Sequence, residues 1–240
     1  MPDYFVWETR RPSLDSALAP EFPPTFKQYG VSFLTGRRFL SPLPELEVRI
    51  PPISDGSPTD DLIVFTWRCI AHSDRLIRVL RKAGVDNIDY HPLRIVRETT
   101  GEVYHTHQAA NILDVVFCID QEKSSLYIND EDPHHLWFID RLALMDERLG
   151  DALCFRLGER PSTVIVHRRV KEAVEAAGIT GPVFLPAEGY REYRGFDENN
   201  PRNVIGTHDG DPDGPADALD DEDQDELDES GDERQGTEAH

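Results

Sequence analysis

Residues Ser73–Pro92 read SDRLIRVLRKAGVDNIDYHP, and the fold turns on how they are read. Leu76, Val79, Leu80 and Ala83 recur with the 3.6-residue period of one helix face, so the spacing predicts a helix over 73–84. Ser73 or Asp74 supplies an oxygen for the N-cap. Gly84 stands where a left-handed C-cap is wanted, a conformation glycine enters at little cost. Past it, Ile88–Tyr90 and Leu93–Glu98 read as extended, with Pro92 expected to mark a strand end, where a missing N–H matters least. The same phrase then returns. Ala83–Pro92 is AGVDNIDYHP and Ala177–Pro186 is AGITGPVFLP. Both carry an aromatic in the eighth place, Tyr90 or Phe184, and proline in the tenth. The second copy follows another amphipathic stretch, Arg168–Gly178, with Val170, Val174 and Ala177 on one face. Two copies fall short of the roughly three that a solenoid needs. They predict two similar helix–strand units packed on one sheet.

Working outward, residues 2–9 and Glu45–Ile50 read as strands, and Leu62–Ile70 is an apolar run. TTGE at 99–102 is a hairpin-like turn followed by a strand over Val103–His107. Ala109–Ile119 reads as one long central strand. Leu126–Ile128, Leu153–Leu157, Val164–Val166 and Val183–Leu185 are short strands. Leu136–Leu149 has helical spacing through Phe138, Leu142, Met145 and Leu149, and predicts a third helix closed by Gly150. The expected class is α+β: a single domain with a mixed, mainly antiparallel sheet covered by two or three helices. Its expected parts are a Pro-rich segment with short strands at 1–60, belonging to the same domain, a core at 61–196, and a tail at 197–240.

The chain of 240 residues has a formal net charge of −21. Thr207–His240 alone holds 15 acidic residues against one basic residue, Arg234. With Leu219 and Leu227 as its only large aliphatic residues, that tail cannot bury enough apolar surface to balance its ordering entropy, and disorder is expected. The charge argues against binding nucleic acid, whose phosphates demand cations, and against anionic membranes. Cys69, Cys118 and Cys154 lie singly in apolar runs, as reduced core cysteines do. No secretory signal opens the chain and no apolar run approaches the ~20 residues that cross a bilayer, so a cytoplasmic protein is expected.

Catalytic signatures are sparse. His105 and His107 on a continuous strand would share a face, with His91 on a strand nearby. A metal-dependent enzyme built on His91, His105 and His107 is therefore an alternative, though no Cys, Asp or Glu completes a ligand spacing. Strand-face histidines are more often plain polar residues. Asp209–Asp220 places acids at several calcium-loop positions, but two prolines and the missing bidentate Glu speak against a site. No nucleophile elbow, phosphate loop or zinc-protease helix is present. The expectation is a protein without catalytic residues, cofactor or metal. Tyr190, Tyr193 and Phe196 in GYREYRGF suit an interface or, equally, packing on the body.

One resemblance gathers these segments. HSDRLIRVLRKAGVDNIDYHPLRIV, NILDVVFCIDQEKS, the stretch around WFIDRLAL and LCFRLGERPSTVIVHRRVKEAVEAAGITGPVFLP follow one another as in bacterial immunity proteins of the Imm11 type, over about 62–190. The resemblance implies a protein that neutralises a cognate intercellular toxin by direct stoichiometric binding, with no chemistry of its own. It carries over no functional residues. An acidic antidote would be complementary to a basic toxin. The alternative outside this family is a regulatory or scaffold module that uses its acidic tail.

Overall fold

The computed structural model describes residues 3–9, 32–43, 45–50, 60–66, 69–128 and 136–192. Most of the Pro-rich segment, residues 129–135 and the whole acidic tail lie outside these residues. In chain order the elements are β1 (Tyr4–Thr9), β2 (Leu46–Ile50), β3 (Leu62–Thr66), β4 (Cys69–Ser73), α1 (Asp74–Ala83), β5 (Ile88–Arg97), β6 (Val103–Tyr104), β7 (His107–Ile112), β8 (Val115–Val116), β9 (Ser125–Ile128), β10 (Leu136–Arg141), β11 (Cys154–Leu157), β12 (Arg160–His167), α2 (Arg168–Ala176) and β13 (Pro182–Pro186). The class is α+β, rich in strands, with two α-helices among the described residues.

Helix α1 forms as its sequence dictates. Ser73 is the N-cap, its hydroxyl accepting the Leu76 N–H at 3.0 Å. Leu76, Ile77, Leu80 and Ala83 are buried, and Gly84 closes the helix at φ 99°. Burying Leu76 and Leu80 contributes about 1.5–3 kcal/mol each. In α2 the buried pair is Val170 and Val174, and the left-handed residue is Gly178 at φ 60°. The repeated Ala-Gly therefore has the same backbone role twice.

The strands form two sheets and a separate hairpin rather than the single sheet expected. The first sheet has the order β13–β1–β12–β11–β8, the second β2–β5–β7–β4–β3 with β6 beside β5. Pairings are antiparallel except β2 with β5 and β8 with β11. The central strands of each sheet are buried on both faces. On β1, Phe5 and Trp7 join α1, α2, Ile88 and Ile112 in one apolar cluster, while Val6 enters another with Phe155, Ile165 and Tyr190. On β7, Ala110 and Ile112 face the first cluster, and Ala109 meets Phe33, Val48 and Ile95 in a third.

Three further expectations are corrected. Pro92 does not end a strand: β5 runs through it, pairing with β7 up to Pro92 and with β2 from Leu93 onward. The imino nitrogen thus falls at the changeover between partners, where a strand tolerates the missing donor. Ala109–Ile119 is not one strand, because the chain leaves the second sheet after Ile112 and joins the first at Val115. Leu136–Leu149 is not a helix. It begins as β10, paired with β9, and only Asp146–Arg148 makes a short 3-10 turn. Phe138 and Ile139 favour a pleated surface, and bulges at both ends of the ladder put Ile139 and Leu142 in the core.

Candidate functional site

The histidines weighed from sequence are not brought together. β6 ends at Tyr104 and β7 starts at His107, so no continuous strand aligns His105 with His107. His105 is exposed, whereas His107 is buried between the Asp60 carbonyl, 2.8 Å from Nε2, and the Thr106 hydroxyl, 2.9 Å from Nδ1. His91 packs edge-on to Phe33 and Phe39. Burial holds both His91 and His107 below the usual imidazole range. Among the described residues no group of three or more His, Cys, Asp or Glu could hold a metal ion. Tyr190 packs on the body, the second of the two roles open to it: it is 5 % exposed and its phenol donates to Glu8. Tyr193 and Phe196 lie outside the described residues.

The buried polar groups act as scaffold. His72, on β4, is fully enclosed, stacked on Trp7 with ring centres 5.6 Å apart and with Nδ1 3.1 Å from the Tyr90 hydroxyl. Burial, helped by His107 and Arg156, drives its pKa down to about 3, so the ring is neutral. Asp61 ties three elements: its carboxylate accepts the Ser73 hydroxyl at 2.5 Å, the Thr180 N–H at 3.0 Å and Arg75 at 3.2 Å. Glu192 links Arg160, which also donates to the Leu136 carbonyl, to the Ile139 N–H. Cys118 and Cys154 are buried free thiols pushed up to about 12, unsuited to nucleophilic work.

What the body presents to solvent is different in kind. Phe117, Tyr127 and Ile128 are 54 %, 49 % and 51 % exposed. Phe117, Leu126, Ile128, Leu136 and Arg148 line a shallow hollow of about 400 Å³ where β8 meets the β9–β10 hairpin. Each side chain has a reason to be there. The Phe117 ring lies against Gly158: a Cβ on that glycine would come within 2.5–2.7 Å of the ring carbons. Arg148 donates to the Phe117 carbonyl at 3.1 Å. Glu159 accepts the Ile119 N–H at 3.0 Å, which fixes the chain just past Phe117. On the other face of the hairpin Tyr127 meets Phe138 edge-on, with ring centres 5.6 Å apart. Around the hollow, Asp120–Lys123 and Asp146–Arg148 contribute four acidic and two basic residues. An apolar aromatic centre, one arginine and an acidic rim are the ingredients of a protein-binding surface. Sequence reasoning missed it because Phe117 and Ile128 sit in apolar runs that read as core.

Comparison with known proteins then identifies a family. The family model described as immunity protein family (Imm11) matches residues 21–189, 169 of the 240 residues. It takes in most of the Pro-rich segment, which the resemblance from about residue 62 had left aside. No curated protein matches the chain.

Proposed function

The chain belongs to the immunity protein family Imm11, and we propose that it neutralises a cognate bacterial toxin by binding it directly, one to one, without chemistry of its own. The family match carries the reading. The toxin-facing region, in this proposal, is the hollow around Phe117, Ile128 and Arg148. Aromatic side chains and arginine are enriched at interfaces, and here the half-exposed Phe117 stands beside Arg148. The acidic rim favours a toxin whose contact surface is basic, which speeds encounter and sets register more than it adds affinity. A toxin that attacks nucleic acid needs such cations for its own substrate, so the rim would compete for the groups that the toxin uses.

Co-production tests this reading. Cells making the toxin encoded beside this gene survive when this chain is also made. Replacing Ile128 by Asp puts an unpaired charge into the hollow and abolishes survival while the protein stays folded. Ile128 is already half exposed, so the fold loses little. Death of cells carrying the unmodified chain would remove the proposal. Survival with Ile128→Asp would move the contact elsewhere on the body.

A further inference from the structure

The helical side of the molecule has the opposite charge character. On α1, Arg78, Arg81 and Lys82 are exposed and neighbours at i, i+3 and i+4. Arg169, exposed in the first turn of α2, stands beside the end of α1: a Cβ on Gly84 would lie 3.4 Å from its Nη2. That first turn contains no acidic residue. The other cations of the two helices are paired, Arg75 with Asp61, Arg168 with Asp3 and Lys171 with Glu175. None of Arg78, Arg81, Lys82 and Arg169 pairs with a carboxylate of a described residue. Arg81 stands over the Tyr90 ring, 5.7 Å away. Four exposed carboxylates lie on these helices or just past the first of them, and two of the four are engaged. Asp74 receives Gln108, Glu175 holds Lys171, and Asp86 and Glu172 remain.

This cationic cluster is an exception on an acidic body. Positions 1–206 hold 31 acidic and 24 basic residues. The same chain carries the complementary charge: Asp220–Glu233 has ten Asp or Glu in 14 residues and no Lys or Arg. We propose that this acidic segment docks on the cationic face formed by Arg78, Arg81, Lys82 and Arg169. Charge and chain length both support that occupant. At physiological salt the Debye length is about 8 Å, so the segment responds to local cations rather than to the net charge of the body. Glu192 lies beside Ile139, on the face of the first sheet opposite the helices. Crossing to the helical face takes about 30 Å, judged from layers about 10 Å apart. The 27 residues from 193 to 219 reach up to about 90 Å. Docking there covers four cations that would otherwise attract polyanions. It also leaves the hollow around Phe117, on the other side of the sheet, open to a partner.

A nitroxide on the full chain tests the contact. It is placed at Ser230→Cys on a Cys69→Ser background, the other two cysteines being buried. At 50 mM salt the amide signals of Arg78, Arg81, Lys82 and Arg169 lose more than half their intensity relative to the reduced label. They recover in 1 M salt, where the Debye length is about 3 Å. The triple variant Arg78→Glu, Arg81→Glu, Lys82→Glu abolishes the loss while leaving the rest of the spectrum in place. Uniform or absent attenuation overturns the proposal. So does attenuation centred on Phe117 and Ile128, or attenuation that persists in 1 M salt or in the triple variant. Toxin binding plays no part in the readout, so this result stands apart from the proposed function.

Discussion

Replacing Asp61 by Ala removes one carboxylate from the junction of α1, β3 and the turn before β13. The group is 10 % exposed at the side chain and accepts from the Ser73 hydroxyl and the Thr180 N–H. Hydrogen bonds to a charged acceptor contribute about 1.5–3 kcal/mol each, and taking the low end for two gives about 3 kcal/mol. Arg75 is half exposed, so its ion pair adds only about 0.5 kcal/mol. Ser73 also caps α1 through Leu76, so a freed hydroxyl weakens part of a cap that contributes about 1 kcal/mol. The expected loss is about 3–4 kcal/mol. With a urea slope of about 2.5 kcal/mol/M for a body of this size, the midpoint falls by about 1.2–1.6 M. Asp61→Asn, which keeps one acceptor, falls about half as far. A cycle with Ser73→Ala measures a coupling above about 1 kcal/mol, because the two side chains share one bond. A midpoint shift below about 0.3 M, or a coupling near zero, refutes the clasp.

Stability is expected to fall as pH drops from 6.5 toward 3, because His72 stays neutral in the fold to a pKa of about 3 while the unfolded chain takes up a proton near 6.5. His72→Gln flattens that slope by up to about 1.4 kcal/mol per pH unit, read from urea midpoints between pH 4 and 7, and an unchanged slope would mean that the ring is not held neutral. The exposed part of Phe117, 54 % of its surface, is about 100 Å² of apolar area. At about 25 cal/mol per Å², Phe117→Ala weakens toxin binding by about 2.5 kcal/mol, roughly 70-fold in Kd. Titration calorimetry that gives an equal Kd would clear this residue from the interface. Gly158→Ala pushes the ring out of its seat at a cost of about 1–3 kcal/mol and lowers affinity without touching the partner. Wild-type affinity in that variant would show that the ring's seat does not matter.

The sequence carried the local rules well and the sheet-switching poorly. Ser73, Gly84 and Gly178 stand where capping chemistry wants them, and that chemistry acts over four residues, so it shows in the primary sequence. β7 is buried on both faces, so β7 and β8 join into one mainly apolar run whose period does not reveal the break at Leu113–Asp114. The spacing of Phe138, Leu142, Met145 and Leu149 fits a helix, yet a bulged strand followed by a 3-10 turn also brings Ile139, Leu142 and Leu149 inside. Period alone does not separate these outcomes, and the run of Phe138 and Ile139 was the better guide. The His105–His107 pairing failed for a related reason: the period-2 rule needs an unbroken strand, and this one stops at Tyr104. Phe117 and Ile128 were hidden because apolar side chains at a surface read as core until the partners of each strand are known.

Stoichiometric neutralisation, as proposed for this chain, is tested by a titration of toxin activity. The purified chain is added to the toxin proposed as its partner, with residual activity and complex mass measured at each ratio. The prediction is a linear fall to zero activity at one chain per toxin, with a single 1:1 complex. Full activity in the presence of excess chain would contradict direct binding, and complete inactivation far below one chain per toxin would reveal a catalytic antidote instead.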